Sequence, residues 1–139
     1  MAAAPAAGDD TRPRLHDATA FELRLIDLER HAALSGDECA AVVAEVDGRV
    51  CGHASYARVY GPRAVLLVEV DDAFWHHGLA GALLIALSCR AARLGITTFL
   101  VRVCANDIRL LALLRERFGA HGGRDGAHVA LEFAVRAPS

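Results

Sequence analysis

Residues 64–94 constrain this chain more than any other stretch. Ala64-Val65-Leu66-Leu67-Val68-Glu69-Val70 is a short apolar, β-branched run of the kind that forms a buried strand. From Gly78 to about Leu94, the residues Leu79, Leu83, Leu87, Ala91 and Leu94 recur at helical spacing. Between strand and helix lies His76-His77-Gly78-Leu79-Ala80-Gly81. Where a strand turns through glycine into a helix, the first N–H groups of the helix lack intrahelical partners and point outward together. Such a turn is a cradle for an anion, a phosphate above all. A binding site is therefore implied before any reaction is.

The flanking chain supplies the rest of an α/β domain. Residues 1–12 are Ala, Gly and Pro followed by Asp9-Asp10, with little to bury, and are expected to form a loose tail ahead of one domain over 13–139. From Asp17 the pattern turns helical, with Asp17 or Thr19 as cap and Phe21, Leu25, Leu28 and Ala32 on one face. Cys39 to Val46 reads as a strand, Asp47-Gly48 as a tight hairpin turn and Val50 to Arg58 as the returning strand. With Gly61-Pro62 as the next turn, the strand at 64–70 completes a three-stranded antiparallel meander. After the long helix, Gly95 is a glycine-type stop. Phe99 to Val103 is a buried strand parallel to 64–70. Asn106 or Asp107 caps a second helix that runs through Arg117. Gly122-Gly123-Arg124-Asp125-Gly126 reads as a turn-rich link into a final strand, His128 to Val135.

Composition narrows the partners. A formal charge of −2 provides no basic field, so nucleic acid is not an expected partner. All 15 basic residues are arginine, and lysine and glutamine are absent, which reads as a composition bias. Cys39, Cys51, Cys89 and Cys104 show no CxxC spacing and sit in apolar segments, as buried free thiols of a reducing compartment do. The N-terminus lacks a basic n-region, and no apolar run reaches the ~18 residues of a membrane span. A cytoplasmic chain with no membrane partner is the expectation. His76 and His77 are adjacent and point differently, with no third ligand in register, so no metal site is expected. Cys104 has no adjacent histidine in the sequence to activate it as a nucleophile.

The order of strand, glycine loop, long helix, strand, Asn-led helix and C-terminal strand resembles the GNAT superfamily of acyl-CoA N-acyltransferases. That family's cradle reads Gln or Arg, two variable residues, Gly, one variable residue, then Gly or Ala. Here it reads Trp75-His76-His77-Gly78-Leu79-Ala80, in which Gly78 and Ala80 match and Trp75 departs. Asp27-Leu28-Glu29-Arg30-His31-Ala32-Ala33-Leu34 and Asp47 to Arg58 are similar to successive segments of the bacterial protein-lysine acetyltransferase (Pat-type) branch. The resemblance covers about residues 20 to 135. It implies a GNAT fold, with a mixed, mostly antiparallel sheet and an acyl-CoA cradle between strand and helix. Few residues precede Phe21 for the family's full first strand and helix, which leaves open whether the N-terminal strand is present or missing.

The resemblance also implies roles. His76, His77, Gly78, Leu79, Ala80 and Gly81 would line the coenzyme A pyrophosphate, and Val68 to Val70 would pair with the pantetheine arm. Asn106, the single Asn of the chain, stands where the family often contacts the coenzyme, and is equally readable as an N-cap. The co-substrate would be acetyl-CoA or a related acyl-CoA, and the acceptor a primary amine such as a protein lysine. A homodimer is an allowed assembly. Acylating an amine requires its neutral form. For lysine, with a pKa of about 10.4, that is ~1 molecule in 1,000 at neutral pH, equivalent to about 4 kcal/mol. Related enzymes use a Glu near the start of the strand before the cradle, and here that position is Ala64 or Val65.

Glu69 is the candidate base that remains. It lies ~13–17 Å further along the strand at ~3.3 Å per residue, near the expected thioester. Within an apolar run its pKa would be raised; otherwise it is a strand residue facing solvent or an arginine. The second helix has no Tyr to protonate a leaving thiolate, and Tyr56 and Tyr60 are either packing residues or lie on the substrate side. Two functions are thus open: an N-acetyltransferase, or a catalytically degenerate GNAT domain acting as an acyl-CoA-binding regulatory or interaction module.

Overall fold

The computed structural model describes residues 13–17 and 39–135. Asp47 and Gly48 both take positive φ (51° and 79°), the conformation that lets a two-residue turn follow strand twist. Strand β2 (Cys39–Val46) accordingly returns as β3 (Arg49–Tyr60). Gly61 and Pro62 turn β3 into β4 (Arg63–Val70). The meander is as expected, with Ala54 opposite Val42 on one side and opposite Val68 on the other. A 3-10 helix (Asp72–His77) leads to α1 (Leu79–Arg93), followed by β5 (Thr98–Cys104) and α2 (Ile108–Phe118). Helix α1 ends at Gly95 (φ 78°), where Ile96 N–H bonds back to the Ala91 carbonyl, the glycine stop that was expected. The chain then forms β6 (His121–Asp125) and β7 (His128–Ala134).

Among the described residues the sheet has seven strands in the order β1-β2-β3-β4-β5-β7-β6. Every neighbouring pair is antiparallel except β4 and β5, which are parallel. Among the described residues, this mixed sheet with two α-helices is the architecture that the resemblance implies. Alternate residues of each strand face the helices. Val42, Ala54, Tyr56, Leu66, Phe99 and Phe133 meet Leu83, Leu84 and Leu87 of α1 and Leu110, Leu111 and Leu114 of α2 in one buried cluster. At its centre Phe99 is fully buried, with its ring 5.9 Å from Tyr56 and 5.7 Å from Phe133. Tyr56 is thus a packing residue.

The structure changes some of these expectations and decides between others. The N-terminal strand is present as β1 (Arg14–Asp17), paired with Val42–Glu45 of β2. Asp17 therefore lies in a strand, and its carboxylate is joined to Arg90 of α1. The glycine-rich segment at 122–125 is not a link but part of β6; only Gly126 and Ala127 turn. Its pairing with β7 outweighs the turn propensity of its glycines. The strand before the cradle does not run straight into the helix, because the 3-10 helix intervenes. Asp107, not Asn106, caps α2, accepting the Leu110 N–H at 3.3 Å. Of the cysteines, Cys51 is buried and Cys39 and Cys89 are partly buried, but Cys104 is exposed. It ends β5 on the face without α1 and α2, where alternation removes it from the core. The tail at 1–12 and the helix expected at 19–32 lie outside the described residues. Among the described residues, no helix is long and apolar enough to cross a membrane.

Candidate active site

The site begins where two strands part. Strands β4 and β5 pair only at Arg63↔Thr98, Ala64↔Phe99 and Val65↔Leu100. Beyond this point β4 stays with β3 as far as Gly52↔Val70, and β5 stays with β7 as far as Cys104↔His128. Each strand keeps its outer partner and loses its inner one, so a wedge opens between them. The backbone groups of 66–70 that face the wedge have no ladder partner on β5, and a strand edge of this kind accepts an extended chain. A cavity of about 710 Å³ opens here, within the size range of small-ligand sites. Val65, Leu67, Leu100 and Ala130 give it an apolar floor, and Arg102, His121, His128 and Glu132 are its polar groups. Arg63 Nη2 lies 3.7 Å from Glu132 Oε1, and Arg102 Nη2 lies 3.5 Å from Asp125 Oδ2.

The start of α1 lies at the carboxyl end of β4. Gly78 is left-handed (φ 69°, ψ 18°), a conformation that costs glycine little. The first helical bond runs from the Ala82 N–H to the Gly78 carbonyl. The amides of Leu79, Ala80 and Gly81 therefore precede the helical ladder, with no side-chain cap and no acidic residue in the first turn. The N-terminal end of the helix dipole is thus left for an anion. Trp75 occupies the cradle's Gln/Arg position for a different purpose. Its ring lies 4.7 Å from the Arg109 guanidinium carbon, and Arg109 Nη2 donates to Asp72 Oδ1 at 2.7 Å. These contacts tie the 3-10 helix to the start of α2 and bring a cation to the loop.

Gly81 is less constrained than the motif implies. A Cβ there would meet Arg117 Nη1 and Leu113 Cδ1 at 3.9 Å, ordinary van der Waals distance. Gly81→Ala is expected to fold and to stabilise the protein by up to about 1 kcal/mol through helix propensity. Urea denaturation checks this, and a loss of stability would show that Gly81 serves close packing.

The other expected residues are placed as follows. Val68 is buried toward the helices and Val70 half-buried, both on the wedge side of the meander. His76 and His77 complete the backbone of the 3-10 helix. Asn106 is exposed just past the end of β5, on the opposite bank of the wedge from β4. Glu69 faces away from α1, and 66% of its side chain is exposed, so the burial expected of it is absent. Its Oε1 accepts a hydrogen bond from His53 Nε2 at 3.1 Å, and His53 is itself buried on β3. Tyr60 is exposed beneath the Arg63 guanidinium. The Cys51 thiol donates to the Ala44 carbonyl, and burial, with Asp71 nearby, pushes its pKa up, so it stays protonated at neutral pH. His53, Arg109 and the residues around the cavity carried no signal in the sequence. Only strand register places His53 beside Glu69, and only the helix crossing places Arg109 beside Trp75.

Comparison with known proteins agrees with this geometry. The acetyltransferase (GNAT) family model matches residues 8–120. No curated protein matches the chain. Among solved structures, the GNAT domain of S. lividans PAT superposes with a TM-score of 0.70 at 17% identity, covering 88% of this chain and 90% of that one. The ribosomal-protein-S18-alanine N-acetyltransferase of Escherichia coli gives 0.69 at 17% identity, covering 91% and 96%. The PaiA N-acetyltransferase of Thermoplasma acidophilum, in complex with coenzyme A, gives 0.62 at 16% identity, covering 82% and 70%. At such identities the likeness is one of fold. With a family model spanning most of its length and the parted β4–β5 pair at its centre, the chain belongs to the GNAT acetyltransferase family.

Proposed function

We propose that this protein is an acyl-CoA-dependent N-acyltransferase that moves an acetyl group from acetyl-CoA to a primary amine, with a protein lysine as an acceptor of the Pat type. The observation that carries this reading is the wedge: a strand edge without a ladder partner leads to a helix start without a side-chain cap. An acyl-CoA fits it. Val68 to Val70 would hold the pantetheine amides as an added strand, and the amides of Leu79, Ala80 and Gly81 would hold the pyrophosphate. His76, His77 and Gly78 would border that site, and Asn106 would contact the coenzyme from the far bank. The bound co-substrate supplies the activated acyl group. The T. acidophilum structure, which holds coenzyme A in the same fold, and the S. lividans PAT domain support this reading.

Glu69 is the proposed base. Its carboxylate stands on the face away from α1, and His53 Nε2 holds one oxygen. That leaves the other oxygen to take the ammonium proton before attack.

Calorimetry with acetyl-CoA, paired with free-thiol release over a panel of amines and lysine-bearing proteins, tests the reading. Binding with turnover is the expected result. Binding without thiol release would instead identify a coenzyme-binding module, and absence of binding would overturn the site. Where turnover is seen, Glu69→Gln is expected to lower kcat at least ~10-fold with binding retained. An unchanged rate would remove Glu69 from the chemistry.

A further inference from the structure

The parting of β4 and β5 is level with an acid on β7 that neither the cradle nor the proposed base uses. Val65, the last residue of β4 paired with β5, is opposite Leu100. Leu100 is opposite Glu132 on β7, and Glu132 is opposite His121 on β6. Val65, Leu100 and Glu132 face away from α1 and α2, because Ala64, Leu66, Phe99, Val101, Leu131 and Phe133 beside them are in the helix-side core. They line one cavity, where Val65, Leu67 and Leu100 are half-buried. An acyl-CoA seated along 68–70, with its pyrophosphate at 79–81, directs its thioester back along β4 toward this parting. Glu132 is two strands from β4, ~10 Å at ~4.8 Å per strand. It is therefore beside the reacting atoms rather than on them, a place for holding an acceptor. Among the described residues it is the single carboxylate lining the cavity, and no hydrogen bond is donated to it. Its contact with Arg63 Nη2, at 3.7 Å, is an ion pair beyond hydrogen-bond reach. A half-buried carboxylate with unused acceptor capacity suits a ligand that carries N–H donors and a positive charge.

We propose that this cavity is the acceptor site, that Glu132 holds the acceptor's ammonium group, and that the site selects a primary amine with one positive charge on an apolar stem over a polyamine. The proposal rests on the acyl-CoA reading for the reaction and on the cavity alone for the binding. The floor of Val65, Leu67 and Leu100 takes methylene groups, such as the stem of a lysine side chain. A second ammonium has no second carboxylate to meet, because Asp125, beside the cavity, is already paired with Arg102 at 3.5 Å. It would meet the guanidinium of Arg63 or Arg102 instead, and like charge repels it. Charge and floor together thus set the class of acceptor, and Glu132 is a specificity-determining residue. Transfer itself is direct attack of the amine on the bound thioester, so no bond to the protein forms.

Steady-state rates of the full chain with saturating acetyl-CoA compare Nα-acetyl-lysinamide with spermidine as acceptors. The lysine derivative is expected to show a kcat/KM at least ~10-fold above that of spermidine. Glu132→Gln should raise its KM ~10-fold or more, the range for a lost hydrogen bond to a charged group. In that variant kcat should stay within about 3-fold and acetyl-CoA affinity should be unchanged. Glu132→Asp should recover part of the KM, a rescue that a merely structural role would not give. Arg102→Gln should raise kcat/KM for spermidine at least ~3-fold and leave the lysine derivative unchanged. Without coenzyme, titrating the isotope-labelled chain with Nα-acetyl-lysinamide should shift the NMR signals of Leu100, His121 and Glu132, and Glu132→Gln should abolish the shifts. An unchanged KM in Glu132→Gln, a fall in its kcat alone, or a preference for spermidine would overturn the proposal and leave the acyl-CoA reading standing. Acetyl-CoA binding without turnover leaves the titration to decide, and no shifts at these residues would overturn the proposal. Absence of acetyl-CoA binding with Glu132-dependent shifts would overturn the acyl-CoA reading and leave the amine site standing. Absence of both would overturn both.

Discussion

Phe99→Ala is expected to lower the unfolding free energy by about 3–5 kcal/mol, the range for removing a fully buried aromatic side chain. The ring is 0% exposed and is packed between Tyr56 and Phe133. It also stands at Ala64↔Phe99, among the last residues joining β4 to β5. The cavity left behind would therefore lie directly beneath the point where the wedge begins. Marginal stability of about 5–15 kcal/mol for a domain makes such a loss visible at once. Urea denaturation of the variant should show a lower midpoint. A loss under about 1.5 kcal/mol would mean that the neighbouring rings collapse into the space and that Phe99 does not brace the wedge.

Gly122→Ala is the second large expected effect, and it separates a strand from a link. Gly122 takes a φ of 153°, and a Cβ built on it would lie 1.9 Å from the Ala130 carbonyl oxygen, which is backbone of the neighbouring strand and cannot turn aside. The variant must separate β6 from β7 or shift their register. Overpacking and backbone strain each cost about 1–3 kcal/mol, so a loss of roughly 2–5 kcal/mol is expected. Faster hydrogen exchange along 129–132 should accompany it. Gly123 is the control: a Cβ there meets nothing within 4 Å, and Gly123→Ala should stay within about 0.5 kcal/mol. Equal, small effects at both positions would show that 122–125 is the turn-rich link its composition implies. Because Gly122, His121 and His128 all border the cavity, the two variants also report whether an intact hairpin is needed to shape it.

The contacts of Arg109 change how the cradle is understood. With Trp75 in place of Gln or Arg, the loop lacks the fixed charge usual in its family. The structure supplies a guanidinium from α2 instead, held by Asp72 and by the indole face. No reading of the motif alone reveals this contact, in which the guanidinium is paired with the Asp72 carboxylate.

What could be read directly from the chain was local. Hydrophobic periodicity marked α1, and the strand-like runs 39–46 and 50–58 around Asp47-Gly48 marked the first hairpin. The order of these elements pointed to the fold, because helix spacing, strand alternation and turn preference arise between residues a few positions apart. Features that depend on how distant strands meet were settled by folding. β1 exists because β2 had an open edge to pair with, and β6 because β7 did, despite glycines that favour turns. The parting of β4 and β5 follows from each keeping its outer partner. The row from Val65 to Glu132 follows from register alone, and a one-residue slip on any of these strands would turn its member of the row into the core. For that reason Glu132, on the last strand of the chain, stands level with the parting of β4 and β5 in the folded protein.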